Sequence, residues 1–239
     1  ALNALSFGAV LVALLAMDYR GKGAALATGL GWASLTEGLR FVFNARIIWS
    51  TMLLDFVATF FGSARLMLPI VADEILGVGE VGYGILSTAQ PIGALIAGTV
   101  TSLRHDIYHQ GRVLLVAVAI YGVATAAFGL MTIFALSYLF FALTGAADTV
   151  STVIRGTIRQ VMTPDHLRGR MTSVNMVFFM GGPQLGELEA GIVAALLGAP
   201  FAIASGGVAV VVLTALIAWR YPRLRRYTSD TEADMLARI

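Results

Sequence analysis

Two carboxylates, Glu187 and Glu189, interrupt an apolar stretch at residues 171–197. The stretch is about 27 residues long, which at ~1.5 Å per residue is enough for a hydrocarbon core ~30 Å thick. A carboxylate within lipid costs roughly 2.5 kcal/mol or more unless it faces protein or a water-filled cavity. We therefore predict that this helix lines a hydrated cavity.

Gln184 and Glu187 are three residues apart and share a helical face, whereas Glu189 points about 200° away from Glu187. In one interpretation Glu187 binds a ligand or exchanges protons. In the other, a carboxylate is hydrogen-bonded to a neighbouring helix. We predict a functional role for at least one of the two glutamates.

Asp148 lies in another apolar stretch, about ten residues or ~15 Å from its basic end. Arg155 and Arg159 continue much the same helical face. The arrangement fits a proton or gating site balanced by arginine. It also fits a fixed ion pair, or arginines whose heads extend to the membrane surface.

Asp55 lies ~12 Å into a third apolar stretch, and Arg65 lies near the opposite end of that stretch. Arg65 would either attract an anionic ligand or pair with Asp73 or Glu74 in the next loop. Asp55 would be either a site residue or a helix-packing residue.

The sequence contains no pattern for a metal, a cofactor or an enzyme. His105 and His109 are four residues apart, but no third metal ligand is in sight. Cysteine is absent, which excludes disulfides, thiol chemistry and covalent haem attachment. No phosphate-binding loop and no nucleophile–base pattern occurs, and the glycines of LGVGEVGYG do not follow a strand.

The composition indicates an all-α, polytopic membrane protein. Hydrophobic residues make up 58% of the chain and charged residues 13%, against about 25% charged in soluble domains. The mean hydropathy is +0.82. We predict seven transmembrane helices, at residues 2–17, 47–68, 82–103, 113–130, 132–158, 171–197 and 200–219. The second is expected to stop at Pro69, because a helix interior does not accept proline.

Residues 18–46 form a polar connection with one apolar stripe. Trp32, Leu35, Leu39 and Val42 are spaced by three, four and three residues and so share a helical face. Such a helix either lies at the membrane surface or packs on the rest of the bundle.

Basic residues predict the orientation. Of the 16 Lys and Arg residues, all but Arg65 are assigned to the connections after the first, third, fifth and seventh helices. Because loops rich in Lys and Arg stay in the cytoplasm, these connections and the C-terminus are predicted to be cytoplasmic. The same bias explains the basic tail without a nucleic-acid partner.

Two segments look like copies of each other. Residues 90–98, QPIGALIAG, and residues 183–191, PQLGELEAG, both fit G-x-L-x-A-G with a proline upstream. With the predicted orientation they run in opposite directions, which gives two three-helix units of inverted topology. The alternative is coincidence, since small residues recur in membrane helices. Gln90, beside the proline of the first segment, is a further candidate site residue.

The segments EGLRFVFNARIIWSTMLLDFVATFFGSARLMLP, LGVGEVGYGILSTAQPIGALIAG, TPDHLRGRMTSVN and QLGELEAG resemble the C-terminal half of major facilitator superfamily exporters. The most similar branch contains enterobactin-exporter-like and macrolide-efflux-like members. The resemblance implies a twelve-helix protein of the bacterial inner membrane. This chain would supply a truncated sixth helix (1–17), the central cytoplasmic loop (18–46), the six-helix C-terminal bundle (47–222) and a cytoplasmic tail (223–239).

The resemblance also implies a secondary exporter, a proton antiporter for a siderophore or drug-like molecule. Its partners would be that substrate, protons, the lipid bilayer and the missing N-terminal six-helix half. The family's loop motif G-x-x-x-D-x-x-G-R-[RK] is met only loosely, with Asp106 and Arg112 as remnants. The candidate gating residues are Asp106, Arg112, Arg155, Arg168 and Arg170.

Two alternatives to the exporter stay open: a transport-incompetent membrane scaffold and a seven-helix ligand receptor. A retinal-binding pump is excluded, because the only lysine, Lys22, lies in a predicted loop and not in a helix.

Overall fold

The computed structural model describes residues 32–62, 65–104, 107–228 and 230. These residues form helices and no strand. Two short segments are not α-helical: Val71–Ile75 is π-helical, and Asp165–Leu167 forms a 3-10 turn. The α-helices are α1 Trp32–Asn44, α2 Arg46–Phe61, α3 Leu68–Ile70, α4 Gly79–Leu103, α5 Gln110–Leu130, α6 Phe134–Met162, α7 Arg168–Leu197, α8 Ala199–Arg220 and α9 Pro222–Arg225.

Three helices, α5, α6 and α8, are long and apolar enough to cross a membrane. Taken together, residues Thr36–Asn44 and α2 are also long and apolar enough to cross a membrane, although the two segments meet at an angle of 98°. The described part of the chain thus holds three candidate spans, or four if the bent pair counts as one. α4 and α7, with 25 and 30 residues, are longer than α5 but more polar. The predicted helix at residues 2–17 lies outside the described residues.

The predicted end of α2 is wrong. The helix ends at Phe61 rather than Leu68, and Pro69 stands in the first turn of α3, where it begins a helix instead of stopping one. Proline fits there because the first backbone N–H groups of a helix have no partner within it. The break falls at Gly62, where a Cβ would lie 2.3 Å from the Tyr121 hydroxyl of α5.

Glycines bring the backbones of neighbouring helices into contact. α4 packs on α6, where a Cβ on Gly93 would lie 1.8 Å from the carbonyl oxygen of Ala142. α2 packs on α7, where a Cβ on Gly186 would lie 2.2 Å from the carbonyl oxygen of Phe60. Helices approach this closely only where one of them carries no side chain. We call α2–α7 and α4–α6 the two helix pairs.

α5 and α8 pack along each other and connect the two helix pairs. Gly122 of α5 and Gly207 of α8 face each other at this contact. One apolar cluster around Leu54, Leu114 and Ile154 fills the bundle towards the start of α2. A second cluster, which includes the stacked rings of Phe128 and Phe141, fills the other end.

α1 packs on the bundle. Val42, the last residue of its predicted stripe, is fully buried against Ile48, Met52 and Val174, and Leu39 packs against the same cluster. This favours the packed helix over the surface helix. The side chains of Trp32 and Leu35 lie outside the described residues.

The segment after α8 folds back onto the start of α5. The backbone N–H of Gly111 donates to the carbonyl of Tyr227 at 3.1 Å. The Tyr108 hydroxyl donates to the Asp230 carboxylate, and this hydrogen bond and the negative charge of Asp230 raise the pKa of the Tyr108 phenol. The tail is thereby docked up to residue 230.

Candidate functional site

A cavity of about 510 Å³ lies between α2, α4, α5, α6 and α7. Four of the predicted site residues, Arg65, Gln90, Asp148 and Glu187, line it. The other lining residues are Thr59, Gly62, Leu66, Pro91, Ala94, Tyr121, Thr125, Phe141, Thr144, Gly145, Thr149, Phe179 and Pro183.

The two similar segments meet at this cavity. Gln90 and Pro91 reach it from α4, and Pro183 and Glu187 reach it from α7. On α7, Phe179 continues the same face, because residues four apart lie one above the other. Each proline removes one backbone donor from its helix. The cavity is therefore bordered by one proline-containing helix from each of the two helix pairs, and both helices continue unbroken through their prolines.

Three charged side chains line the cavity, two acidic and one basic. Asp148 has a 49% exposed side chain, and Glu187 and Arg65 are exposed. Among the described residues Arg65 forms no ion pair with Asp73 or Glu74, which argues against that alternative. The two carboxylates are open to the cavity and can meet a ligand or water there.

Hydroxyl groups add to the lining, and sequence reasoning missed all of them. The Tyr121 hydroxyl donates to the carbonyl of Gly62 at 2.9 Å and so ties α5 to the end of α2. The threonine hydroxyls donate to backbone carbonyls of their own helices at 2.7–2.9 Å. The residues are Thr59, Tyr121, Thr125, Thr144 and Thr149. Single threonines in apolar helices carry no motif, so no signal marked them.

A cluster of four charges lies beside the cavity. The Nη1 of Arg155 lies 2.7 Å from Oδ1 of Asp55, and both side chains are at least 95% buried. Arg159 lies 3.8 Å from Asp55, and Arg155 lies 3.6 Å from the cavity-lining Asp148. Arg159 also donates to the side chain of Asn175. The cluster connects α2, α6 and α7. It contains two positive and two negative side chains.

Arg155 lies within a helix, as the predicted helix at residues 132–158 implies, and counting it among the cytoplasmic loop charges is wrong. Arg155 lies in α6, seven residues or ~10 Å before the end of that helix, and it is buried with Asp55. Arg155 and Arg159 therefore do not belong to the loop charges that predicted orientation. Asp55 does not line the cavity, and its ion pair fits the packing interpretation.

The remaining candidates lie elsewhere. Gln184 and Glu189 are not among the residues that line the cavity. Arg168 forms an exposed ion pair with Asp165 at 3.0 Å, and Arg170 pairs with Glu37 of α1.

Arg112 is exposed in the first turn of α5. Asp106 and His105 lie outside the described residues. Within the described ranges no group of three or more His, Cys, Asp or Glu side chains is placed to hold a metal.

Comparison with known proteins gives a family match along almost the whole chain. The family described as transmembrane secretion effector matches residues 1–237. The chain is similar to the enterobactin exporter EntS of Escherichia coli O1:K1 / APEC, with 26% identity over 197 residues, 81% of this chain and 46% of the relative. It is 27% identical to EntS of Shigella boydii serotype 18, with the same coverage. The chain spans about half the length of these curated relatives. No solved structure matches it significantly.

Proposed function

Because this chain belongs to the transmembrane secretion effector family of the major facilitator superfamily, we propose that it forms the C-terminal half of a proton-coupled exporter. The observation that carries the proposal is the cavity of about 510 Å³, which brings Arg65, Asp148 and Glu187 together between five helices. The missing N-terminal six-helix half would close the other side of the site. The intact protein would then have twelve helices, seven of them represented in this chain.

The inverted repeat is part of this proposal, and the helix contacts support it. Gly93 and Gly186 occupy the same position in the two similar segments. Each contacts a backbone carbonyl, of Ala142 on α6 and of Phe60 on α2. If α2, α4 and α5 correspond to α6, α7 and α8, the α4–α6 contact maps onto the α7–α2 contact. Two inverted units with a site at their interface are typical of secondary transporters.

The cavity lining suits an aromatic, partly anionic substrate. Tyr121 and the 47% exposed Phe179 add aromatic side chains to the lining, and Arg65 adds a guanidinium that can hold an anionic oxygen. The relatives are named as enterobactin exporters, which makes a catecholate siderophore the first substrate to test. A flat drug-like molecule fits the same lining.

We assign proton coupling to two residues, Asp148 and Glu187. The charges of Asp55, Asp148, Arg155 and Arg159 sum to zero when both aspartates are ionised. Protonation of Asp148 from the cavity would leave a net charge of +1 beside a buried ion pair. A proton taken up or released there changes the electrostatic balance between α2 and α6, which is the kind of link that antiport needs.

The test uses the intact transporter in inverted membrane vesicles. Uptake of enterobactin and of cationic dyes is followed with and without a proton gradient, for the wild type, Glu187→Gln and Asp148→Asn. We expect gradient-dependent uptake in the wild type that falls to the gradient-free level in both variants. The matched control is Glu189→Gln, which removes a carboxylate two residues away that does not line the cavity, and it should transport normally.

The outcomes separate the parts of the proposal. Gradient-dependent uptake that survives in both variants would keep the exporter and overturn the assignment of Glu187 and Asp148. Uptake that never responds to a proton gradient would overturn proton coupling. If no compound moved in any condition, the alternatives of a transport-incompetent scaffold or a ligand receptor would gain support.

A further inference from the structure

A second cavity, of about 290 Å³, lies where the α1–α2 junction meets the end of α8. Three arginines line this cavity. They are the first residue of α2, Arg46, the last residue of α8, Arg220, and Arg223 in α9. No Asp or Glu lines it, and within the described part of the chain none of the three arginines has a carboxylate partner. We call it the arginine cavity.

Three of the other five residues that line the arginine cavity are aromatic, and the remaining two are Pro222 and Leu224. Phe43 and Trp49 have ring centroids 4.5 Å apart, and the guanidinium of Arg220 lies 5.7 Å from the ring centre of Tyr221. Tryptophan and tyrosine favour the level of the lipid headgroups in membrane proteins. The wall therefore combines positive charge with rings suited to the membrane surface.

The position of Arg220 places the arginine cavity at that depth. α8 meets the length and composition of a membrane span, and its 22 residues extend ~33 Å, close to the thickness of the hydrocarbon core. Arg220 is the last residue of this helix, and the adjacent Trp219 is 77% exposed. With α8 across the membrane, the cavity would open at the level of the lipid phosphates.

We propose that the arginine cavity binds the phosphate group of an anionic phospholipid. Guanidinium groups hold phosphate oxygens through paired hydrogen bonds, and basic cavities between membrane helices bind phospholipid headgroups. The volume of about 290 Å³ is roughly ten times the ~30 Å³ of one water molecule in the liquid, so a phosphate with part of its headgroup fits.

A bound lipid would join two distant parts of the chain. Arg46 and Trp49 follow the bend of 98° between α1 and α2, whereas Arg220 and Arg223 lie more than 170 positions later. A phosphate between them would hold the connection that leads into the bundle against the bundle's last helix. Such a ligand stabilises the folded protein by mass action, since it binds only when both parts are in place.

The experiment measures lipid binding to the intact transporter in neutral detergent. Bound phosphatidylglycerol is counted by native mass spectrometry over a titration, with phosphatidylcholine and inorganic phosphate as parallel probes, and the melting temperature is recorded in each series. We expect phosphatidylglycerol to bind and to raise the melting temperature. Arg46→Gln and Arg220→Gln should each weaken its binding about fivefold, and the double variant about 25-fold.

Two further variants make the test specific. Arg225→Gln removes the same charge from an exposed position of α9 that does not line the arginine cavity, and it should bind lipid like the wild type. Arg220→Lys keeps the charge without the planar donor pair, and its affinity should lie between those of the wild type and Arg220→Gln. Arg220→Lys also remains informative if a glutamine variant fails to fold.

Three results would overturn the proposal. Equal binding of phosphatidylcholine would show that the net charge of the lipid does not matter, because its phosphate carries the same charge but choline neutralises the headgroup. An equal loss in Arg225→Gln would show a general charge effect rather than a cavity. Inorganic phosphate that raises the melting temperature and displaces the lipid at the same concentration would identify a site for free anions instead of lipid.

Discussion

Replacing Asp55 by asparagine is expected to lower the free energy of unfolding by about 3–5 kcal/mol, the usual cost of removing one partner of a buried ion pair. Asp55 and Arg155 are 2.7 Å apart and almost fully buried. Without Asp55, the guanidinium of Arg155 stays in the bundle with Asp148 as its only remaining carboxylate, 3.6 Å away and half exposed.

The distances to Arg155 indicate which of the two aspartates, Asp55 or Asp148, contributes more to stability. At an effective dielectric constant of 20, two unit charges attract by ~6 kcal/mol at 2.7 Å and by ~5 kcal/mol at 3.6 Å, before desolvation is counted. Water screens the half-exposed Asp148 but not the buried Asp55. Asp148→Asn should therefore cost about 1 kcal/mol or less in stability, even if it stops transport.

The assay is a double-mutant cycle on the intact transporter in mild detergent. The free energy of unfolding is measured for Asp55→Asn, Arg155→Gln and the double variant. We expect the double variant to be more stable than the sum of the single effects predicts, with a coupling energy of about 1–3 kcal/mol. The exposed pair of Asp165 and Arg168 is the control, and Asp165→Asn should change stability by no more than about 0.5 kcal/mol.

A coupling energy below about 0.5 kcal/mol would refute the reasoning, because it would mean that the two buried charges do not depend on each other. A large effect of Asp165→Asn would also count against it, since the assay would then respond to any lost charge. With so low a coupling energy, the cluster would be a set of neighbours and not an interacting unit.

The remaining predictions concern close contacts of glycine. Gly186→Ala should lower stability by about 1–3 kcal/mol, because its Cβ would lie 2.2 Å from the carbonyl oxygen of Phe60, whereas Gly191→Ala, with no atom within 4 Å, should be neutral or stabilising. Equal melting temperatures for the two variants would contradict the α2–α7 contact. Gly111→Ala would place a Cβ 1.7 Å from the carbonyl oxygen of Leu224, so it should undock the tail and speed its proteolysis, which Gly191→Ala should leave unchanged.

Most helix positions were predictable from the sequence because apolar blocks are long and end at polar residues. The helices predicted at residues 82–103, 113–130 and 200–219 are found at Gly79–Leu103, Gln110–Leu130 and Ala199–Arg220. The break after α2 was missed, although Gly62, Ser63 and Arg65 interrupt the apolar sequence there. The contact of Gly62 with Tyr121, nearly 60 residues later, is not visible in the local sequence.

Residues of the candidate site were predictable where a charged residue interrupts an apolar stretch, or, for Gln90, where a segment of the sequence is repeated. Glu187 and Asp148 were predicted as site residues because carboxylates are rare in apolar helices, and both line the cavity. Arg155 was misassigned because the rule for basic residues treats an arginine near a helix end as a loop charge. Its partner, Asp55, is 100 positions earlier in the sequence, and no local pattern connects the two.

The contacts within each helix pair differ in kind from the contacts between the two pairs. Within each pair, Gly93 and Gly186 let backbones touch, so one helix cannot slide past the other without a steric clash. Between the pairs, α2 meets α6 through the ion pair of Asp55 and Arg155 and through the apolar cluster that contains Leu54 and Ile154. Asp148 lies on the cavity wall and within 3.6 Å of Arg155. A ligand or proton that changes the charge at Asp148 therefore acts on the ion pair between the two helix pairs, while the contacts within each pair do not depend on charge.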